Sequence, residues 1–395
     1  EDFAVQKYMF DTWRAAVEKV GYVEYEASIL EPSELYRAKG ADNEEMVGKQ
    51  TYTFVDRGER EVTLRPEMTP TVARMVAGRR RELGYPLRYY SIPNCFRYES
   101  TQRGRLREFW QLNVDIFGSR SPAADAEILA VAYGMMMAFG ATEGDFVIRV
   151  GSRSYINAAI AELGLDDEQA KKVFALLDRR AKMPREEFLQ ALSELSVPES
   201  MILPEEPPQE VADMLAQFSS AGINNIVWDP SVVRGFAYYT GMVFEVFDTH
   251  ASNSRALMGG GRYDNLTALF DDEPLPGVGF AIGDVTMRDF LEVRGLLPAY
   301  VPPTKLYIAT PSPDMAYAVQ ALAGELRRQG VNVAIDFGER KLGDQIKAAS
   351  KHRIPWLMVV GENEMQAGQF TLRNLETGHE ETLPQIAVAD FLLNN

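Results

Sequence analysis

Apolar residues recur at helical spacing over residues 1–20. Phe3, Val5, Tyr8, Met9, Trp13, Ala16 and Val17 mark one face, and Gly21 ends the run. Residues 22–31 then alternate and predict a strand. Residues 51–54 and 61–64 predict two strands about a turn at Asp56-Arg57-Gly58, and a helix is predicted from Thr71, just past Pro70. Residues 89–98 and 109–117 alternate again, on either side of a polar, glycine-bearing loop over residues 99–105, which predicts a hairpin. A helix over residues 125–139 and a strand over 145–150 follow.

The character then changes. Residues 151–220 are rich in Glu, Lys, Ala and Leu, with helical spacing at Val173, Leu176 and Leu177 and prolines at 198, 204, 207 and 208. They predict a small helical segment. Strand patterning returns over 226–228, 232–241 and 242–247. Gly259-Gly260-Gly261 predicts a turn where backbone can approach a ligand closely. Residues 276–287 read as a glycine-punctuated strand entering a helix. Residues 297–303 form a proline-bearing linker. Beyond it the pattern is βαβα: strands over 306–309, 331–335 and 356–360, a helix face at Met315, Ala318, Val319, Leu322 and Leu326, and a helix over 342–350. That predicts a small domain with a partly parallel sheet covered by helices.

Composition narrows the function classes. The chain has 395 residues, room for two or three domains, with 46% hydrophobic and 25% charged residues. Its net charge is −16, which argues against sequence-blind nucleic-acid binding but not against an RNA met by local arginine clusters. One cysteine, Cys95, forbids an internal disulfide, fits a reducing compartment, and with three histidines excludes a cysteine-based metal site. Cys95 reads as a buried structural thiol. No apolar run is long enough to span a membrane.

Against that acidic balance, Arg97, Arg103, Arg105 and Arg107 crowd into eleven residues of the hairpin. Guanidinium forks grip phosphate oxygens in two places at once. The same cluster on its own also fits a solvated charged hairpin. A second anomaly is Arg234, set in an apolar run with Tyr238 and Tyr239 between Gly235 and Gly241. Burying a guanidinium without an anion costs several kcal/mol, a cost that a bound anion would offset. Glu67, read alone, is a carboxylate at a helix start.

These residues carry a resemblance. FRYE (96–99), GRLREFWQ (104–111) and DIFG (115–118) resemble motif 2 of class II aminoacyl-tRNA synthetases, and within that class the histidyl-tRNA synthetase family. RGFAYYTGMVFE (234–245) and GGGRYD (259–264) resemble the two histidine-specific motifs in order and spacing. LRPEMTP (64–70) resembles the segment holding the amino group of the amino acid, and PGVGFAIGDVTM (276–287) resembles motif 3. The first helix and the strand after it resemble motif 1, the dimer-forming element, as any helix–strand connection also would. LGDQIKAA and VVGENE, near the C-terminus, resemble the anticodon-binding domain.

The resemblance implies an α+β protein: an antiparallel-sheet catalytic domain over residues 1–150 and 221–298, a helical insertion at 151–220 packing over the tRNA acceptor arm, and an α/β anticodon-binding domain at 304–395. It implies ligation of L-histidine to tRNA(His) through an ATP-derived histidyl-adenylate, with Mg²⁺ accompanying ATP, in a cytoplasmic homodimer. Arg97 and Arg234 would grip the α-phosphate from opposite sides. Glu67, Thr69, Gln111, Asp115, Tyr238, Tyr239 and Gly260 would bind histidine. Glu99, Arg105, Phe109 and Gly283, with the two arginines, would bind ATP, Phe109 stacking on adenine. Four positions depart from the common pattern: Ser28 for the motif 1 proline, and Asp115 for glutamate, Ala237 for aspartate and Thr286 for the motif 3 arginine, the last three as in a bacterial and plant-organelle branch of the family. Thr286 and Ala237 leave open a catalytically silent relative, a histidine-binding regulatory subunit of ATP phosphoribosyltransferase. A synthetase-like sensor module of a larger chain is a third reading.

Overall fold

The alternating run that ends the hairpin becomes the longest strand, and the others assemble around it. The computed structural model describes every residue except Glu1, 38–49, Thr101, Arg103, 181–182, 235–237, Ser254, 271–272 and Gly338. The chain divides into two compact units, Glu1–Pro298 and Ala299–Asn395.

In the first unit, α1 (Asp2–Glu18) buries Met9, Trp13 and Val17, while Phe3 at its start is 71% exposed. The strands are β1 (Val23–Glu24), β2 (Leu30–Pro32), β3 (Tyr52–Val55), β4 (Glu61–Leu64), β5 (Leu87–Ser91), β6 (Asn94–Phe96) and β7 (Glu108–Phe117). They continue with β8 (Phe146–Ser152), β9 (Ile226–Trp228), β10 (Met242–Asp248), β11 (Ala256–Arg262) and β12 (Gly277–Gly283). Nine of them form one sheet in the order β1-β5-β7-β12-β11-β10-β8-β9, with β6 paired to the far end of β7, and β2-β4-β3 form a small separate sheet. Only the outermost pairs, β1–β5 and β8–β9, run parallel in the large sheet. The helices are α2 (Glu34–Arg37), α3 (Thr69–Gly78), α4 (Pro122–Ala138), α5 (Arg153–Glu162), α6 (Asp167–Arg179), α7 (Arg185–Glu194), α8 (Glu199–Ile202), α9 (Gln209–Ser220) and α10 (Asp284–Arg294).

The alternation along β7 has a consequence on each face. Leu112, Val114 and Ile116 are buried in the main core with Trp13 of α1, Ile128, Leu129 and Met135 of α4, and Phe290 of α10. The opposite face of the sheet carries a second cluster built on Val72, Ala73 and Val76 of α3 with Tyr239, Val243 and Tyr263. Helices α5 to α8 have a core of their own, including Ile156, Val173, Leu177, Phe188 and Ile202, whereas Val211, Met214 and Phe218 of α9 join the main core.

Four expectations need correction. The predicted strand over 22–31 is two short strands in different sheets. Between them the Ser28 hydroxyl donates to Leu30 O, and Arg65 Nη1 donates to Ala27 O, so backbone groups find local partners instead of a ladder. The strand predicted over 89–98 is broken at Pro93, which has no N–H to give a neighbour, while its carbonyl accepts from Gln111 N. The described residues of 232–241 contain no strand: Arg234 has φ of 57°, a left-handed conformation that an extended run cannot contain. The three glycines at 259–261 lie inside β11, paired with β10 and β12, not in a turn.

In the second unit, β13 (Leu306–Ala309), β14 (Val333–Ile335), β15 (Trp356–Val359), β16 (Gln369–Asn374) and β17 (Glu380–Pro384) form a sheet in the order β14-β13-β15-β16-β17. Its first three strands are parallel and its last two antiparallel. Helices α11 (Ala316–Arg328), α12 (Leu342–Lys351), α13 (Glu362–Ala367) and α14 (Gln385–Asn394) complete it. Its two hydrophobic clusters lie one with α11 and α14 and the other with α12.

Arg262, the arginine of GGGRYD, is a structural tie. Its Nε and Nη2 each donate to Asp125 in the first turn of α4 at 2.9 Å, and Nη1 donates to Ser119 O at 2.9 Å and Asp264 Oδ1 at 3.1 Å. Both charged side chains are about nine-tenths buried. Arg262→Ala leaves Asp125 buried and uncompensated, so it should lower unfolding free energy by about 3–5 kcal/mol, read as a lower urea midpoint. Replacing both residues by apolar ones should recover most of that loss.

Candidate active site

Four segments distant in sequence converge on the α3 face of the sheet, around a cavity of about 110 Å³. β7 contributes Gln111, Asn113 and Asp115, which share one face by their two-residue spacing. The start of α3 brings Glu67 and Thr69. Arg97 enters from just past β6, and Arg234, Tyr238 and Tyr239 from the connection before β10. The sheet closes the floor with Gly259 of β11 and Gly279 of β12, and Tyr263 completes the wall.

The glycines make the room. A Cβ at Gly259 would stand 2.5 Å from Arg234 Nη1, and one at Gly279 would collide with the Asp115 carboxylate, its register partner across β12 and β7. Only glycine lets both charged groups lie flat on the sheet. Gly260, expected in the histidine site, is corrected here. Strand alternation turns it to the other face, where a Cβ would run into Phe280 and the Gly279 carbonyl; Gly259 lines the cavity instead.

Asp115 is 2% exposed and accepts a short hydrogen bond from the Tyr263 hydroxyl. Burial pushes its carboxyl up to about 7, with the tyrosine bond acting against that rise. Its second oxygen, Oδ2, is buried and has no partner among the described residues. An acceptor left so costs about 1–3 kcal/mol, which a donor on a ligand would remove. Burial also raises the hydroxyls of Tyr238, Tyr239 and Tyr263, so all three stay protonated donors. The rings of Tyr238 and Tyr239 lie 4.7 Å apart, and that of Tyr238 stands edge-on to Tyr263 at 5.9 Å.

The two cationic groups are held differently. Arg97 donates from Nε to Pro66 O at 2.9 Å, which ties it to the segment carrying Glu67. Arg234 donates to Glu245 Oε1 at 2.6 Å, while its Nε is buried without a partner among the described residues. Its left-handed backbone, uncommon for a side chain this large, is the local strain that swings the guanidinium over Gly259. With Glu67 only 4% exposed, the cavity gathers two buried carboxylates and two guanidiniums. That set matches a zwitterion beside a second anion.

Of the residues expected at ATP, Arg97 and Arg234 line this cavity, and Glu99, Arg105, Phe109 and Gly283 lie outside its lining. Glu99 and Arg105 pair with each other at 2.9 Å. The Phe109 ring lies 5.2 Å from the guanidinium carbon of Arg97. Gly283 ends β12 opposite Gln111 and begins α10. Arg103 and residues 235–237, Ala237 included, lie outside the described residues. Cys95 is buried and its thiol is pushed up to about 12 by burial, so it is no nucleophile.

Sequence reasoning assigned no role to Asn113, Tyr263, Gly279 or Glu245, and gave Gly259 only the triple glycine's general capacity for close backbone approach. Tyr263 and Glu245 sit within motifs already recognised. Gly279 is identified only by its register opposite Asp115.

Two expectations concern Asp115. On the expectation that Asp115 Oδ2 receives a donor from histidine, Asp115→Ala should weaken histidine binding about tenfold or more in titration calorimetry. The carboxyl also holds its proton more tightly folded than unfolded, so its contribution to stability is complete at low pH and lost as pH rises through about 7. Asp115→Asn should therefore raise the melting temperature more at about pH 8 than at about pH 5.

A family model described as Histidyl-tRNA synthetase matches residues 1–285, and one described as Anticodon binding domain matches residues 305–395. The histidine–tRNA ligase of Leptospira biflexa is 38% identical over 97% of this chain and 92% of its own length. That of Thermoplasma volcanium is 33% identical over 99% and 95%. The crystal structure of histidyl-tRNA synthetase from Nostoc sp. PCC 7120 superposes with a TM-score of 0.82 at 23% identity, covering 99% of this chain and 95% of that one, a likeness of fold. With its cavity lined by the histidine-specific motifs and its length matched by such relatives, the chain belongs to the histidyl-tRNA synthetase family.

Proposed function

We propose that the protein, a histidine–tRNA ligase, activates histidine in the cavity bounded by Arg97 and Arg234. The observation that carries this reading is that these two guanidiniums, from separate segments, line one cavity with two buried carboxylates. The histidine carboxylate attacks the α-phosphorus of ATP. The bond from that phosphorus to the bridging oxygen breaks, pyrophosphate leaves, and histidyl-adenylate remains. Charge that builds on the phosphate oxygens is met by cations already in place. Glu67 and Thr69 receive the substrate ammonium, and Asp115 Oδ2 accepts from the imidazole N–H. A tRNA ribose hydroxyl then attacks the mixed anhydride and AMP leaves, with no protein nucleophile required. Glu99 and Arg105 of the hairpin loop, Phe109 of β7 and Gly283 at the end of β12 are assigned to ATP, and Mg²⁺ would accompany the nucleotide and neutralise its phosphates.

The remaining assignments rest on surfaces. Helices α5 to α8 are assigned to the tRNA acceptor arm. A second cavity of about 640 Å³ beside them shares Arg234 with the first and is lined by Arg149, Arg180 and Arg185 together with Asp178, Asp229, Glu245 and Asp248. Residues 304–395 are assigned to the anticodon. A homodimer is inferred from the exposed apolar side chains of Val23, Leu30, Phe54 and Val55 on β1 to β3, and cytoplasmic residence from the single reduced thiol. No described helix is long and apolar enough to cross a membrane. The full-length ligase relatives and the matched C-terminal domain favour the enzyme over a histidine-binding regulator.

Histidine-dependent exchange of pyrophosphate into ATP tests the reading, and binding of histidine without exchange would favour the regulator. Arg234→Ala should lower exchange by about 100-fold or more while retaining the circular-dichroism spectrum. Normal turnover by that variant would remove Arg234 from the phosphate.

A further inference from the structure

A cavity of about 170 Å³, separate from the histidine cavity, lies where Gly104 of the hairpin loop meets the start of β11 and the first turn of α10. Its lining includes Gly104, Arg255, Leu257, Thr286 and Asp289. Thr286 stands where the family's motif 3 carries an arginine, and it supplies no charge. Its hydroxyl is within 3.2 Å of the carbonyls of both Leu257 and Gly283, so it ties α10 to β11 and turns its methyl toward the loop. Among the described lining residues the one cation is Arg255. Its side chain is half-buried, and no described residue hydrogen-bonds or pairs with its guanidinium.

Two further features fix its position. Gly104 has φ of 78°, and a Cβ there would stand 3.4 Å from Arg255 Cδ and 3.8 Å from Thr286 Cγ2. The loop backbone therefore lies directly against both side chains, and Arg255 occupies the space beside Thr286. Arg255 also precedes Gly259, on the floor of the histidine cavity, by four residues. That is roughly 13 Å along a strand, a gap that a triphosphate tail and an arginine side chain together span.

We propose that Arg255 is the cation that receives the terminal phosphates of ATP, taking the charge role that Thr286 leaves vacant from a neighbouring strand instead of from α10. This rests on the ATP-dependent reaction proposed above. A guanidinium suits the task because its planar fork meets two phosphate oxygens at once and it never deprotonates.

The test compares wild type with Arg255→Ala and Arg255→Gln in histidine-dependent pyrophosphate exchange, with AMP as a competing ligand. Exchange by the wild type establishes the reaction independently of Arg255, and its absence would overturn the reading beneath the proposal. Both variants should raise the ATP KM tenfold or more, leave the histidine KM and the AMP inhibition constant within twofold, and melt with the wild type. Arg255→Lys should recover part of the loss. Thr286→Arg added to Arg255→Ala should lower the ATP KM again, because it returns a guanidinium to the same cavity. An ATP KM unchanged in Arg255→Ala, or AMP and ATP weakened equally, would overturn the assignment to the terminal phosphates.

Discussion

The strict alternation of β7 is the constraint on which the site depends. Leu112, Val114 and Ile116 anchor the strand in the main core, so Gln111, Asn113 and Asp115 have no choice but to face the cavity. A slip of one residue would exchange the two sets and put two amides and a carboxylate into the apolar core. The hydrophobic free energy that fixes the register therefore also fixes the polar groups, and no loop has to be ordered to present them.

Small residues do the complementary work. Gly259 and Gly279 leave hollows in the sheet, and Arg234 and Asp115 lie in them. Both charged groups retain one buried atom without a partner among the described residues, Nε of Arg234 and Oδ2 of Asp115. Leaving these atoms unmatched opposes stability, and the raised carboxyl of Asp115 records the same tension. The tie from Arg262 to Asp125 shows the contrast. It joins the same strand to α4 with every donor engaged, so an arginine from a recognised motif holds the scaffold while another faces the cavity.

Much of the site was legible in the sequence because its chemistry is carried by consecutive residues. The stretch around Arg234 read as unusual for a core, the arginine-rich hairpin and the LRPE segment were recognised by resemblance, and Glu67, Thr69, Arg97, Gln111, Asp115, Arg234, Tyr238 and Tyr239 do line one cavity. The triple glycine showed that backbone approach mattered, but choosing Gly260 over Gly259 required knowing which way the strand faces. The ATP-loop residues illustrate the reverse case. Glu99 and Arg105 form an ion pair with each other, and Phe109 lies under Arg97.

Elements whose signal is local could be read from the chain alone: α1 and α4, β7 with its two faces, the linker before the second unit, and the parallel start of that unit's sheet. Periodicity and turn chemistry act within a few residues, so one chain suffices to read them. Tertiary structure alone decided what depends on partners far along the chain: the break of residues 22–31 between two sheets, the left-handed turn at Arg234, the pairing of Gly279 with Asp115, and the placing of Arg255 beside Thr286. Each of these is set by which strand lies next to which, and strand order is a property of the packed sheet, not of any stretch of sequence.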